Sequence, residues 1–504
     1  MVQLTSGDLK LERGSVPLYR QLRDQIARQI ECGELPEGTR LPPTRELALG
    51  LGINRQTVAS AYEALSADGL VRSHVGQGTS VIGRQPQRVV TAVSWPSTFS
   101  RALEAVERQE RGFAAQTDHP DPIDFASLFP DQDLFPIEPF RKVIDVVLRQ
   151  RGKELLQYGP AAGYAPLREY IAERLSVREV KVSPEQVLIV NGSQQGLDLI
   201  FRALLDPGDA VAVESPTYSA VLPLLAHYQA QVVSLPMTVR GMDLGALESV
   251  LARKPIKLIY TMPTFHNPTG ISMDLAARQN LLRLAARHQV PLVEDDFEFD
   301  LRFGGKATPP LKALDDSGLV LYLGTFSKGL FPGLRLGWVV APRPVTRVLC
   351  RAKMLNDSHS GLLLQAAVLE FCRRGHYDAH LRSLARLGRK KGEQLLSSLR
   401  QHLPAETSWT RPEGGHAFWI TLPEPLRAER LLAQAEREGV LFTPGATFFS
   451  GSGGERSLRL SISRVPLERI DEGVRRLAVI MRRELATLSS QPSRIVANQP
   501  AFHI

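Results

Sequence analysis

Between Leu18 and Cys32 the apolar residues Leu18, Leu22, Ile26 and Ile30 return at every fourth position, the spacing of one helix face. Pro36, Gly38, Pro42 and Pro43 end that pattern. Thr44 can accept hydrogen bonds from unpaired first-turn N–H groups, so it predicts a cap for a second helix over residues 45–51, which Gly52 closes. Asn54 is the next expected cap, and Val58, Ala61, Tyr62 and Leu65 form an i, i+3, i+4, i+7 stripe. Two short helices joined so tightly predict a helix-turn-helix. Residues 70–75 and 79–82 read as short strands about Gly76-Gln77-Gly78, whose glycines permit a tight reversal, and this hairpin is the candidate wing.

Residues 85–121 change character, with Pro86, Pro96 and Pro120 among scattered polar positions and a short helical pattern near residues 101–111, and they read as a linker. From about Pro122 short apolar runs at 187–190, 210–213, 257–261, 291–293, 319–323 and 336–340 alternate with amphipathic stretches. That alternation predicts an α/β domain built on a mostly parallel sheet with helices on both faces. Past Arg382 long helical stretches and a few strands predict a smaller α+β subdomain. The expected organisation is a winged helix-turn-helix over 14–84, a linker over 85–121, the large domain over 122–488 and a flexible tail over 489–504.

A chain of 504 residues exceeds the roughly 150 of one compact domain, in keeping with that division. Hydrophobic residues at 43% and charged residues at 23% exclude collagen, coiled coil and wholesale disorder. Cys32, Cys350 and Cys372 form no CxxC pair and no zinc spacing, so a reduced, cytoplasmic setting without a metal is expected. No apolar run reaches the ~18 residues of a spanning helix, so no membrane partner is expected. The net charge of +8 tolerates a polyanionic partner. Its excess lies away from the helix-turn-helix: residues 335–400 hold thirteen basic and four acidic side chains, and residues 1–90 hold eleven and nine. Two accounts stand side by side, a few well-placed arginines on the small domain or a second basic track on the large one.

In a parallel sheet ligands gather at the carboxyl ends of the strands. After Val190 comes Asn191-Gly192-Ser193-Gln194-Gln195, opening a helix whose free N–H groups suit a phosphate. After Thr261 comes Pro263 to Gly270 with Asn267, after Val293 comes Glu294-Asp295-Asp296, and after Leu323 comes Gly324-Thr325-Phe326-Ser327-Lys328, followed by Arg335. A lysine amine, a carboxylate, an asparagine, a phosphate seat and an arginine are the groups pyridoxal phosphate needs. The lysine condenses with its aldehyde, and the carboxylate keeps its pyridine nitrogen protonated.

On these motifs residues 122–488 resemble the fold type I aminotransferases, the pyridoxal-phosphate-dependent transferase fold. The stretch Leu41-Pro42-Pro43-Thr44-Arg45-Glu46-Leu47-Ala48 through Arg55-Gln56-Thr57-Val58, Tyr62, Leu65 and Gly69-Leu70 resembles the GntR winged helix. Their fusion in this order is similar to the MocR subfamily of transcription regulators. The resemblance implies that Lys328 holds the cofactor as a Schiff base, Asp295 faces the pyridine nitrogen and Asn267 donates to the ring hydroxyl. Ser193, Gln194, Ser327 and Arg335 would bind the phosphate, Tyr218 would stack on the ring, and Tyr158 would reach the phosphate of a neighbouring subunit. Arg459 would clamp an amino-acid carboxylate bidentately, with Gly414-Gly415 leaving room for the substrate. Arg45, Arg55, Gln56 and Thr57 would face double-stranded DNA, and Gly76 would let the wing approach its backbone.

The same resemblance implies a head-to-tail homodimer that responds to the cofactor or to an amine or amino-acid effector. The alternative is a working aminotransferase with an accessory DNA-binding module. One position departs from the pattern: Phe297 stands where the family has a tyrosine whose hydroxyl helps hold the ring's phenolate. Glu294 and Asp296 read as solvated or structural, and His266 as a satisfied supporting residue.

Overall fold

In the computed structural model, which describes residues 4–11, 17–74, 78–82, 95–100, 102–104, 106 and 117–490, the chain falls into two compact units, residues 1–98 and 99–504. The first is organised by three helices, two of them announced by apolar stripes. Helices Leu18–Glu31, Thr44–Leu51 and Arg55–Ala67 bury Leu22 and Ile26, Leu47 and Ala48, and Val58, Ala61, Tyr62 and Leu65 in one core. Asn54 caps the third helix, its side chain accepting from the Gln56 N–H at 2.9 Å, and Gly52 ends the second at φ +64°. The expected Thr44 cap is not made. Pro43 occupies the cap position, Thr44 is the first helical residue, and its hydroxyl accepts from Arg55 Nε at 3.4 Å. Strands Val71–His74 and Gly78–Val81 pair antiparallel, with the short strand Arg40–Leu41 on the far side of the latter. The Tyr62 hydroxyl donates to the Pro42 carbonyl at 3.0 Å, tying the third helix to the Pro-Pro turn. Gly76 and Gln77 lie outside the described residues.

The second unit is built on an eight-stranded sheet. Its spatial order is Val187–Val190, Gly337–Val340, Val320–Thr325, Leu292–Asp295, Leu258–Thr261, Ala210–Ser215, Gln231–Thr238 and Gly241–Met242. The middle of the sheet is parallel, but Gly337–Val340 runs antiparallel to both its neighbours. An apolar run buried on both faces carries no sign of its direction. Gln231–Thr238, next to the edge, escaped the sequence reading because only Leu235 in it is fully buried and Pro236 interrupts its length.

Alternate residues of the central strands feed two cores. Ile189, Tyr322, Trp338 and Val340 pack with helices Ala165–Ser176 and Leu362–Arg373. Leu188, Val190, Leu323 and Val339 pack with helices Ser193–Leu204 and Arg343–Asn356. The expected α+β subdomain is a four-stranded antiparallel sheet in the order Ser408–Trp409, Ala417–Thr421, Ser457–Ser461, Thr443–Pro444. Helices His376–His402, Ala428–Arg437 and Ile470–Ser490 accompany it, and Leu395, Leu399, Phe418, Ile420, Leu458 and Leu477 share its core. Strand Ile123–Asp124 pairs with Val440–Leu441, which brings the segment that follows it, residues 125–129, toward the large sheet's strand ends.

Gly324, inside Val320–Thr325, has no room for a side chain, because a Cβ there would lie 2.4 Å from the Trp338 indole. Gly324→Ala is expected to cost about 1–3 kcal/mol. Denaturant unfolding of the full chain checks the loss, and a change in the emission of buried Trp338 should accompany it.

Candidate cofactor site and DNA-facing surface

Eight of the residues singled out in the sequence, Ser193, Gln194, Tyr218, Asn267, Asp295, Ser327, Lys328 and Arg335, line one cavity of about 170 Å³ at the strand ends. Leu128, Phe129 and Phe297 complete its apolar wall. Each polar member arrives from its strand. Asp295 is the last residue of Leu292–Asp295, Lys328 follows Thr325 by three, and Ser193 opens the helix after Val190.

Asp295 is buried, and the Tyr260 hydroxyl donates to its Oδ2 at 2.9 Å. Its Oδ1 is buried with no hydrogen-bond partner. Burial pushes its pKa up from 3.8 to about 7, against the opposing effects of the Tyr260 hydroxyl and the Lys328 charge. An orphaned carboxylate oxygen facing a cavity is complementary to a cationic ring N–H. Lys328 Nζ donates to the Leu128 carbonyl at 2.8 Å and sits 5.5 Å from the Phe129 ring centre. Burial lowers its pKa. Tyr218 lines the same wall, with its hydroxyl pKa pushed up to about 12 by burial.

The anion seat is shaped by Gly192. Its φ is +84°, and a Cβ there would lie 2.6 Å from Arg335 Nη2, so a glycine lets the guanidinium close over the helix start. Arg335, itself left-handed at φ +49°, donates from Nη2 to the Asn191 carbonyl at 3.2 Å. The Thr325 hydroxyl donates to Ser327 Oγ at 2.9 Å and accepts from the Ser327 N–H at 3.0 Å, which fixes the turn before Lys328.

Two predicted residues lie apart from the cavity lining. Tyr158 is 90% exposed, with only an edge contact to the His359 ring. Arg459 is buried, and its donors are engaged: Nη1 to Asn267 Oδ1 at 3.0 Å, Nη2 to the Ala126 carbonyl at 2.6 Å and to the Thr443 hydroxyl at 3.0 Å. Its Nε is buried without a partner. Burial lowers its pKa to about 10. Gly414 and Gly415 lie outside the cavity lining. Cβ atoms there would lie 2.2 Å from the Phe265 ring and 2.6 Å from Glu298 Oε2, so their role is close packing.

Glu294 and Asp296 are fully buried, not solvated. Glu294 accepts from the Leu311 and Lys312 N–H groups at 2.8 Å each, and Asp296 from Arg178 at 2.8 Å and the Tyr322 hydroxyl at 3.0 Å. His266 is buried as a supporting residue, with Nδ1 2.8 Å from the Thr269 hydroxyl and Nε2 3.3 Å from Glu214. The sequence reading missed Glu298, a buried carboxylate whose Oε1 lies 2.7 Å from His416 Nδ1 and whose charge raises the pKa of both Lys328 and Arg459. The acidic run 294–298 held a signal for it, but His416 lies 118 residues away in sequence.

On the N-terminal unit, Arg55 and Gln56 are exposed at the start of the third helix, Thr57 is half-buried behind them, and Arg45 is exposed in the first turn of the second. The Arg55–Thr44 contact brings the two helix starts together. Gly76 lies outside the described residues.

Fold and site together define a helix-turn-helix DNA-binding unit joined to an aminotransferase unit of the pyridoxal-phosphate-dependent class. Residues 121–477 match the family model for aminotransferase class I and II, and residues 18–81 that for bacterial regulatory proteins of the gntR family. The "Probable rhizopine catabolism regulatory protein MocR" of Rhizobium meliloti is 33% identical over 477 residues, covering 93% of this chain and 95% of its own. The 2-aminoadipate transaminase of Thermus thermophilus is 38% identical over 398 residues, covering 78% of this chain and 99% of its own. The solved structure of alpha-aminoadipate aminotransferase LysN from Thermus thermophilus, complexed with N-(5'-phosphopyridoxyl)-L-leucine, superposes with a TM-score of 0.72 at 36% identity over 78% of this chain and all of that one. The chain belongs to the aminotransferase class I and II family, in the MocR subfamily of GntR-type regulators. Among the described residues no helix is long and apolar enough to cross a membrane.

The raised pKa of Asp295 has a measurable sign in cofactor-free protein. A carboxyl that binds its proton more tightly when folded loses stability as pH rises from about 4 through about 7. Asp295→Asn is expected to match wild type at pH 4 and to melt at a higher temperature than wild type at pH 8. A melting difference that does not change with pH contradicts the assignment.

Proposed function

We propose that this protein is a cytoplasmic transcription regulator that binds pyridoxal phosphate at Lys328, senses the cofactor itself or an amine or amino acid brought to it, and alters its hold on DNA accordingly. The observation that carries this reading is the orphaned Asp295 Oδ1 opposite Lys328 in a chain that also holds a DNA-facing helix. Bound, pyridoxal phosphate supplies an aldehyde that exchanges amines and a ring that takes up electrons.

The chain's own groups divide the remaining work. Asp295, fixed by Tyr260, accepts the ring N–H and keeps that proton in place. Lys328, its pKa lowered by burial, offers more of the neutral amine that attaches the cofactor. Ser193, Gln194, Ser327 and Arg335, with the helix start they surround, hold the phosphate. Tyr218 covers the ring face, and Asn267, whose Oδ1 is taken by Arg459, turns its amide donor to the ring hydroxyl. Phe297 lends no hydroxyl there, a loss of about 0.5–1.5 kcal/mol that leaves binding intact and weakens turnover. Arg459, whose Nε is buried without a partner, offers that N–H to an effector carboxylate.

Exposed Tyr158 fits a role across a subunit boundary, reaching a partner's phosphate in a head-to-tail homodimer. In this reading the DNA-binding domain occupies residues 14–84, a linker 85–121, the sensing domain 122–488 and a tail 489–504. A working aminotransferase is the second reading, favoured by the completeness of the cavity. It requires rapid conversion of the bound cofactor by common amino acids and its restoration by 2-oxo acids.

Borohydride reduction of protein saturated with pyridoxal phosphate, followed by peptide mass spectrometry, is expected to find the pyridoxyl group on Lys328, and an unmodified Lys328 overturns the reading. Arg55→Ala is expected to weaken specific binding by about 1–3 kcal/mol in a gel-shift titration. Unchanged affinity removes Arg55 from the DNA contacts.

A further inference from the structure

Behind the anion seat lies a second layer of charge that touches no part of the cavity. Lys353, on helix Arg343–Asn356, is fully buried, and its Nζ donates to both oxygens of Asp357 at 2.6 and 2.7 Å. Asp357 Oδ2 accepts in addition from Asn191 Nδ2 at 2.6 Å and from Gln195 Nε2 at 2.7 Å. Gln195 Oε1 in turn accepts from the Asn191 N–H at 2.7 Å, and the Asn191 carbonyl accepts from Arg335. An unbroken run of hydrogen bonds therefore leads from a buried lysine to the arginine over the seat.

We infer that Lys353 and Asp357 form a clasp that positions the phosphate seat, acting through Asn191 and Gln195 without touching the ligand. The inference rests on the reading of Ser193, Gln194 and Arg335 as phosphate ligands. Its logic is electrostatic and geometric. The two amides on either side of Gly192 and Ser193 are pinned to one carboxylate, so the helix start cannot swing its N–H groups off the cavity. A bare carboxylate behind a phosphate would repel it, and Lys353 makes the pair neutral. Burial pulls the Lys353 pKa down, and Asp357 opposes that pull, so the buried ammonium depends on this carboxylate.

The test compares pyridoxal phosphate with pyridoxal, which has the same aldehyde and ring and no phosphate, by titrating each into the full-length protein and reading the visible absorption. Wild type should prefer the phosphorylated form. Asn191→Ala, which leaves the Lys353–Asp357 pair intact, is expected to weaken pyridoxal phosphate about tenfold and pyridoxal less than twofold. Asp357→Asn should do so by at least as much, and should it fail to fold, Asn191→Ala decides alone. Equal losses for both ligands, or no loss of pyridoxal phosphate, overturn the clasp. A wild type without preference for the phosphate overturns the seat itself, and the clasp with it.

Discussion

Three consecutive carboxylates, Glu294, Asp295 and Asp296, are buried at the end of one central strand, and the site is organised by how each is answered. Charge can be kept in a dry interior only when hydrogen-bonded or paired. Two backbone N–H groups serve Glu294, with the Arg278 guanidinium 3.8 Å away, and Arg178 and Tyr322 serve Asp296. Asp295 alone faces the lysine cavity, with one oxygen held by Tyr260 and the other unserved. Asp296 Oδ1 is likewise buried without a partner, but Asp296 lies outside the cavity lining, so what sets Asp295 apart is that its unserved oxygen belongs to a residue lining the lysine cavity.

The rest of the cavity follows from the same economy. At one end Asp295 leaves an acceptor unserved, and at the other a helix start and Arg335 provide positive charge. Lys328 lines the same cavity, its pKa lowered by burial against the opposing charges of Glu298 and Asp295. The glycines work at shorter range. Gly192 admits Arg335, Gly324 admits Trp338, and Gly414 and Gly415 admit Phe265 and Glu298, so close packing rather than flexibility explains them.

Much of this was legible in the sequence because each functional residue directly follows an apolar run, and a parallel sheet sends such ends to one place. The stripes of the first and third helices of the N-terminal unit were equally plain. What stayed hidden depended on distant partners or on chain direction. Gly337–Val340 is antiparallel, Gln231–Thr238 has one fully buried position and a proline in its length, and Pro43 took the cap position that Thr44 was expected to fill. Glu298 is answered by His416, and Asp357 by Asn191, 166 residues away. The burial of Arg459 and its engagement with Asn267 belong to the fold alone.

The central claim is that the state of the Lys328 cavity and the affinity for DNA are linked, and linkage is reciprocal. The most direct measurement is the dissociation constant for the DNA upstream of the protein's own gene, with and without saturating pyridoxal phosphate, in wild type and in Lys328→Ala. The account predicts a change of about fivefold or more in wild type and none in the variant, which should still bind DNA. Equal affinities in wild type under both conditions, or an undiminished response in Lys328→Ala, would contradict it.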